Sequence, residues 1–268
     1  MPMNYTGSYA IVTGSSEGLG LYISKSLLED FPGLEVIGLS RSKSVLDSDR
    51  FTWIQCDVTK PESLENCFKT IKTSFSKKTC SILINNAGMS KQLPILSETE
   101  PKTSCDVFKD INTFRSMMDV NLIGYTMITR LGVELMDHEQ SGNIINVNSM
   151  AAHCVSEFNP FHFYHITKHA VNCLTECVRI ELRSINSKIR VGQVSPGVIE
   201  TGFFDNCGMF QKKDEKESEE ELSKKITGAF GYNALLSEDV YAGIKIMITA
   251  EPRSQIGDIQ IRPTASKD

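Results

Sequence analysis

The sequence predicts an α/β fold: a doubly wound parallel sheet of about seven strands, helices on both faces, one domain over 1–268. Three observations carry this. Short apolar, β-branched runs alternate with segments of helical periodicity along the whole chain. A glycine-rich turn joins the first such run to the first helix. Several buried runs end in small or polar residues, the composition of the carboxyl edge of a parallel sheet, where ligands bind.

Residues 8–12, SYAIV, form the first strand. Thr13-Gly14-Ser15-Ser16-Glu17-Gly18-Leu19-Gly20 follows, and then LYISKSLLEDF at helical spacing. Strand, glycine turn and helix together aim backbone N–H groups and the positive helix end at a phosphate. Glycine allows positive φ and close approach of a ligand. A plain glycine-rich βα turn is the structural alternative. The second strand, EVIGL at 35–39, ends in Leu39-Ser40-Arg41-Ser42-Lys43, with no acid until Asp47. At this place in a dinucleotide-binding sheet an acid receives the 2′-hydroxyl of NAD, and a base accommodates the 2′-phosphate of NADP. Arg41 can fork onto that phosphate and Ser40 or Ser42 can donate to it, which favours NADP over NAD. A solvated loop arginine is the bland alternative.

A third strand is predicted over 52–58, TWIQCDV, ending at Asp57-Val58, with Thr59 as N-cap of a helix carrying Pro61 and Glu62 in its first turn. The fourth strand, CSILI at 80–84, runs into Asn85-Asn86-Ala87-Gly88. A long polar loop spans 89–113, and one continuous helix is expected over 114–137 with Asn121 inside it. A buried asparagine in mid-helix needs a reason. The fifth strand, NIINVN at 143–148, leads to Ser149. The helix after it presents Tyr164 and Lys168, four apart and so on one face, about 5–6 Å apart at Cβ. A nearby positive charge lowers the pKa of a phenol and makes it a usable acid–base group. The sixth strand, IRVGQV at 189–194, ends in Ser195-Pro196-Gly197-Val198-Ile199-Glu200-Thr201. Residues 203–228 mix both charges and are flanked by Phe203, Phe204, Met209, Phe210 and Phe230, a composition suited to a lid with an apolar underside. A helix over 237–249 and a strand over 256–261 complete the alternation.

The net charge of −5, with no Lys/Arg run, disfavours nucleic-acid binding through phosphate contacts. No apolar stretch reaches the roughly 18 residues of a membrane span, and the N-terminus lacks the basic start and apolar middle of a signal peptide. A cytoplasmic location is the expectation. The eight cysteines form no CxxC pair and no zinc-type cluster, so no metal is expected and they read as small apolar residues in a reducing compartment. The histidines at 153, 162, 165 and 169 read as polar surface or as supports behind the Tyr/Lys pair.

TGSSEGLG at 13–20, NNAG at 85–88, Asn121, Ser149, Tyr164 with Lys168, and Pro196-Gly197 with Thr201 occur in an order and spacing that resemble the short-chain dehydrogenase/reductase family over nearly the whole chain. INVNSM at 145–150, SPGVIET at 195–201 and IGDIQIRPT at 256–264 resemble the branch of dehydrogenase/reductase member eleven and insect farnesol dehydrogenase. The resemblance implies a Rossmann-type sheet and hydride transfer between NADP(H) and a carbonyl or alcohol of a lipophilic small molecule, in a homodimer or homotetramer. It makes Tyr164 the acid/base. Lys168 lowers the tyrosine pKa and bonds the nicotinamide ribose, Ser149 donates to the substrate oxygen, and Asn121 holds a water linking Lys168 to solvent. The implied cofactor contacts are Gly14, Ser16, Glu17, Leu19, Ser40, Arg41, Asp57, Val58, Asn86, Ile199 and Thr201, besides Tyr164 and Lys168. Asp57 receives the adenine amino group and Asn86 borders the adenine ribose. Glu17 stands where many NADP-using relatives carry a base, so Arg41 has to outweigh it. The competing reading is a dinucleotide-binding regulatory protein without turnover, for which the Ser/Tyr/Lys/Asn set has no use.

Overall fold

The structure, a computed structural model, describes residues 5–95, 110–157, 159–207, 209–210 and 219–266. Seven parallel strands form one sheet in the order β3-β2-β1-β4-β5-β6-β7. They are β1 Ser8–Thr13, β2 Leu34–Ser40, β3 Phe51–Gln55, β4 Thr79–Asn85, β5 Asn143–Val147, β6 Arg190–Pro196 and β7 Asp258–Ile261. The chain winds outward from β1 to β3, then restarts beside β1 at β4 and winds the other way. The carboxyl ends of β1 and β4 therefore flank the switch point, where the two connections diverge and leave a crevice.

The helices are α1 Gly18–Asp30, α2 Pro61–Ser74, α3 Ile111–Met118, α4 Tyr125–Leu135, α5 His162–Ser184, α6 Phe203–Cys207, α7 Glu219–Phe230 and α8 Ser237–Thr249. Alternation along the strands feeds two cores. Ala10, Val12, Ile82, Ile84 and Ile145 face α1 and α8, where Ile23, Leu27, Val240 and Ile244 meet them. Tyr9, Ile11, Leu83 and Ile144 face the other way, toward Leu64 and Ile71 of α2, Ile128 of α4 and Leu182 of α5. Each such side chain, fully buried, contributes about 1.5–3 kcal/mol. Strands covered on both faces need nearly continuous apolar runs, which is why those runs were readable in the sequence.

Three expectations are corrected. β3 ends at Gln55, not Val58. The chain leaves the sheet because the Asp57 carboxylate accepts both the N–H and the hydroxyl of Thr59, at 3.0 and 2.8 Å, and the Asp57 N–H donates to Ser63. The same bonds remove Thr59 from the capping role; Lys60 is the N-cap, in extended conformation, and Pro61 opens the helix. The helix expected over 114–137 starts at Ile111, ends at Leu135, and is interrupted by a π-helical turn at Asp119–Gly124. The interruption coincides with Asn121, and such wide turns recur at functional sites. Part of the charged run at 211–218, and residues 96–109 of the loop, lie outside the described residues. Among the described residues no helix is long and apolar enough to cross a membrane.

β6 packs closely on the chain entering β7. A Cβ built at Gly192 falls 2.2 Å from the Ile256 carbonyl oxygen and 2.4 Å from the Met247 methyl. The first obstacle is backbone, so Gly192→Ala has to shift the β6–β7 register. A loss of about 3 kcal/mol is expected from this overpacking, read as a lower urea midpoint.

Candidate active site

Gly14 and Gly18 have φ of +68° and +53°, so the turn after β1 requires glycine at both places. Gly20 has no room for a side chain either: its Cβ would lie 2.1 Å from the Gly14 carbonyl oxygen and 2.5 Å from Asn86 Nδ2. This packing brings the start of α1 onto the switch point. Glu17 sits at the N-cap without a side-chain cap bond, so the first N–H groups of α1 are left for an anion. The Thr13 hydroxyl accepts the N–H groups of Asn86 and Ala87, both at 2.9 Å, and Asn86 Nδ2 donates to the Thr13 carbonyl at 2.9 Å. The ends of β1 and β4 are thus stapled together. Opposite them, the chain after β6 is pinned by parallel pairing of Ile199 with Leu235 and by the Glu200 N–H donating to the Leu235 carbonyl at 2.8 Å. Thr201 then approaches within 3.7 Å of where a Gly18 Cβ would stand. The turn carrying Gly14, Ser16, Glu17 and Leu19 thus meets the segment of Ile199 and Thr201 at Gly18, by the switch point. Its close backbone, positive-φ glycines and open helix end fit a nicotinamide dinucleotide.

At the end of β2, Arg41 is exposed and close enough to Asp57 to help hold its carboxyl low. Burial pushes that carboxyl up, but the Thr59 bonds and the Arg41 and Lys60 charges outweigh it. Ser40 is a correction: its proton goes to the Ser42 carbonyl at 2.8 Å, and its oxygen accepts the Trp53 indole N–H at 2.9 Å. Its one proton is committed to that carbonyl, and Arg41 and Ser42 stand exposed beside it. Val58 packs on the π turn, where a Gly124 Cβ would fall 2.9 Å from its methyl.

Tyr164 and Lys168 lie on the first turns of α5, beside the end of β5. Ser149 has extended backbone and opens the short 3-10 turn Met150–Ala152, its oxygen accepting the Ala151 N–H at 3.1 Å. The Ser149 hydroxyl lies near enough to the Tyr164 phenol to favour its ionised form. The Lys168 ammonium donates to the Val147 carbonyl at 2.9 Å and lies 5.8 Å from the centre of the Tyr164 ring. It also lies 5.4 Å from the Tyr125 ring, whose hydroxyl donates to the same carbonyl at 3.0 Å. Tyr125 had no sequence signal, because an aromatic within an apolar helical pattern reads as core.

The depressed phenol pKa expected from Lys168 is not what this geometry gives. Burial raises the Tyr164 pKa well above its ordinary value, the Ser149 hydroxyl offsets this in part, and the neighbouring Cys207 thiol adds to the rise. Burial also moves Lys168 the other way, down to about 7. Asn121 is fully buried, and its side chain ties two segments together. Its Oδ1 accepts the Met89 N–H at 2.9 Å, and its Nδ2 donates to the Met89 carbonyl at 2.8 Å and the Thr167 hydroxyl at 3.0 Å. Both amide protons are committed, so the side chain can at most accept from one water.

The open side of Tyr164 is aromatic. Phe203 of α6 lies 6.0 Å from its ring, Phe204 5.9 Å from Phe203, Phe230 5.3 Å from Phe204, and Tyr232 6.0 Å from Phe230. α6 is held from the other side by Lys91 donating to the Asn206 carbonyl at 2.7 Å and the Gln92 N–H to the Cys207 carbonyl at 3.2 Å. The histidines support the chain behind Ser149: His165 is buried, not on the surface, with Nδ1 2.9 Å from the Cys154 carbonyl, and His162 meets the Ser156 carbonyl at 2.9 Å. Among the described residues no cluster of His, Cys, Asp or Glu could hold a metal.

The buried amine makes a measurable demand on the fold. An unfolded chain keeps its lysine protonated up to about pH 10.4, whereas folded Lys168 loses its proton near 7. Between these values the unfolded state binds the extra proton, so stability rises with pH across the window and is lowest at and below about 7. Lys168→Met removes that penalty, and the Val147 carbonyl keeps its Tyr125 bond. The variant is expected to melt above wild type at about pH 6, with the gain shrinking toward about pH 10. Thermal unfolding at both ends checks this, and a variant less stable throughout contradicts it.

The family model described as short chain dehydrogenase matches residues 8–212. Dehydrogenase/reductase SDR family member 11 of Gallus gallus is 32% identical over 274 residues, covering 97% of each chain. Farnesol dehydrogenase of Aedes aegypti is 28% identical, covering 98% of each. The ligand-free aldohexose dehydrogenase of Thermoplasma acidophilum superposes with a TM-score of 0.75 at 21% identity, over 96% of this chain and 93% of that one. Family model and relatives agree with the strand order and the crevice: this chain belongs to the short-chain dehydrogenase/reductase family, whose members bind a nicotinamide dinucleotide and act as oxidoreductases on alcohols and carbonyls.

Proposed function

We propose that the chain is an NADP(H)-dependent oxidoreductase that interconverts a carbonyl and an alcohol on a lipophilic small molecule, of ketosteroid, isoprenoid or aromatic-ketone type. The observation that carries this reading is the Tyr164 phenol, set beside Ser149, above the buried Lys168 and walled by Phe203. The bound dinucleotide supplies or accepts the hydride. Tyr164 gives its proton to the carbonyl oxygen in reduction and takes it back in oxidation. With its pKa raised by burial it stays protonated at neutral pH, the state a proton donor needs. Ser149 donates to the same oxygen and stabilises the negative charge that grows there. Lys168, near half-protonated at about pH 7, is a proton reservoir one helical turn away. Asn121 holds the chain at Met89 against Thr167, between the tyrosine and the lysine.

The ladder from Phe203 to Tyr232 supports an apolar substrate, with residues 203–228 as its lid. Arg41, exposed at the end of β2, supports NADP over NAD despite the exposed Glu17. Ile166, Cys173, Cys177 and Ile180 form an exposed stripe on α5, which supports pairing with a second copy in a dimer or tetramer. The free thiols suit the reducing cytoplasm.

Turnover of ketones and alcohols with NADPH tests the substrate class; reaction of small polar compounds alone contradicts it. Tyr164→Phe is expected to lower kcat by about a thousandfold and to leave NADPH binding intact. NADPH binding with no turnover by wild type across the panel favours the regulatory reading instead. Arg41→Ala removes a charge-assisted contact and is expected to weaken NADPH by about tenfold or more with little change for NADH. Equal loss for both cofactors refutes the role given to Arg41.

A further inference from the structure

Behind the Ser149 turn lies a cluster that the reaction does not use directly. Ser195 of β6, fully buried, donates to Asp258 Oδ1 at 2.7 Å. His153 Nε2 stands 3.0 Å from the Ser195 oxygen and 3.0 Å from Asp258 Oδ2. Serine, histidine and aspartate together suggest a hydrolytic triad, but the connections are wrong for one. The serine proton already goes to the carboxylate, and one histidine nitrogen touches both partners, so nothing is poised to take a proton from the serine. With its proton committed, Ser195 can only accept from the imidazole. Nε2 therefore carries the ring proton and shares it between Ser195 and Asp258.

We propose that His153 is a positioning residue for the reaction, locking the Ser149 turn to the ends of β6 and β7; this rests on the oxidoreductase reading above. The turn from Ser149 to His153 is rigid. Ala152 N–H donates to the Ser149 carbonyl at 2.9 Å, His153 N–H to the Met150 carbonyl at 2.9 Å, and Ser149 takes the Ala151 N–H. Fixing His153 at one end therefore fixes the Ser149 hydroxyl at the other. Ser195 leads into Pro196-Gly197 and on to Ile199 and Thr201, and the Gly197 N–H donates to the Ile261 carbonyl at 2.8 Å. One imidazole thus sets the substrate-polarising hydroxyl in register with the segment that borders the dinucleotide. His153 and Asp258 keep about a fifth of their side-chain surface exposed, at 19% and 23%, so an apolar replacement fits there without a large cavity.

The test compares wild type with His153→Leu and His153→Gln, in which the Gln amide can restore the N–H donor. Steady-state kinetics use a carbonyl substrate that wild type reduces with NADPH. NADPH binding by fluorescence gives the concentration of folded enzyme. Per folded molecule, kcat of His153→Leu is expected to fall about tenfold or more, with NADPH affinity within about twofold of wild type and most of kcat recovered in His153→Gln. A purely structural role gives lower melting temperature with kcat per folded molecule unchanged, and that result overturns the inference. So does equal loss in both variants. Wild type that binds NADPH but reduces no carbonyl fails the oxidoreductase reading itself, and the positioning role falls with it. Wild-type turnover matched by His153→Leu sinks the positioning role alone.

Discussion

Much of this protein is arranged around one buried ammonium. Lys168 takes its charge out of water, a state that is tolerated only with a hydrogen-bond acceptor and polarisable neighbours close by. The Val147 carbonyl supplies the acceptor, because β5 ends there and its last carbonyl is not needed by the sheet. Tyr164 and Tyr125 supply aromatic faces at 5.8 and 5.4 Å. These demands fix the relation of three elements. α5 must lie along the end of β5, α4 must bring Tyr125 to the same carbonyl, and the turn after β5 must place Ser149 against the phenol. The site follows from placing a lysine where the fold would otherwise place a leucine.

The rigidity that this needs comes from a buried polar chain beneath the carboxyl edge. Asn85 of β4 donates to Thr129 of α4 and to Asn146 of β5, both at 2.9 Å. Asn146 donates to Thr175 of α5 at 2.9 Å, and Gln193 of β6 takes bonds from Thr175 and Asn148 and donates to Asn172. Three strands and two helices are thereby joined below the reacting groups. Each bond adds about 0.5–1.5 kcal/mol, but leaving any partner unmet inside costs more, so the network specifies one arrangement more than it adds stability. Asn121 extends the same logic outward. Its three bonds hold the chain after β4 to α5, and the π turn is the local distortion that lets its side chain reach both.

What the sequence made legible follows the same division. The strands, the glycine turn and the Tyr164–Lys168 face were readable, because burial on two faces and helical spacing leave periodic marks in a chain. β3 was overread through Val58 because its apolar run continues while its hydrogen bonding does not: Asp57 turns toward Thr59, and a side-chain bond leaves no period. The sequence singled out Ser40 and Asn121 by position but did not show the bonds their side chains make. Position is set by the local pattern, whereas the bonding partners are set by residues distant in the chain: the Trp53 indole donates to Ser40, and the Met89 backbone brackets the Asn121 amide. Tyr125 gave no signal, and His153 only a general one as surface or support, for a related reason. Their partners, Val147, Ser195 and Asp258, are brought together only by the crossing order of the sheet.

Chemistry and substrate choice are consequently built from different material. Ser149, Tyr164 and Lys168 stand on strand ends and a long helix, cross-braced by buried bonds on every side. The aromatic face beside Tyr164 stands on the five-residue helix α6 and the aromatic residues beyond it. α6 is tied to the loop at 91–92 by backbone carbonyls, which accept from Lys91 and from Gln92 whatever side chains α6 carries. Phe203 and Phe204 can therefore be exchanged without disturbing those ties, and exchange changes the shape of the wall beside Tyr164. In the proposed reaction, a braced Tyr164 facing a replaceable aromatic wall keeps the proton-transfer geometry constant while the molecule delivered to it varies.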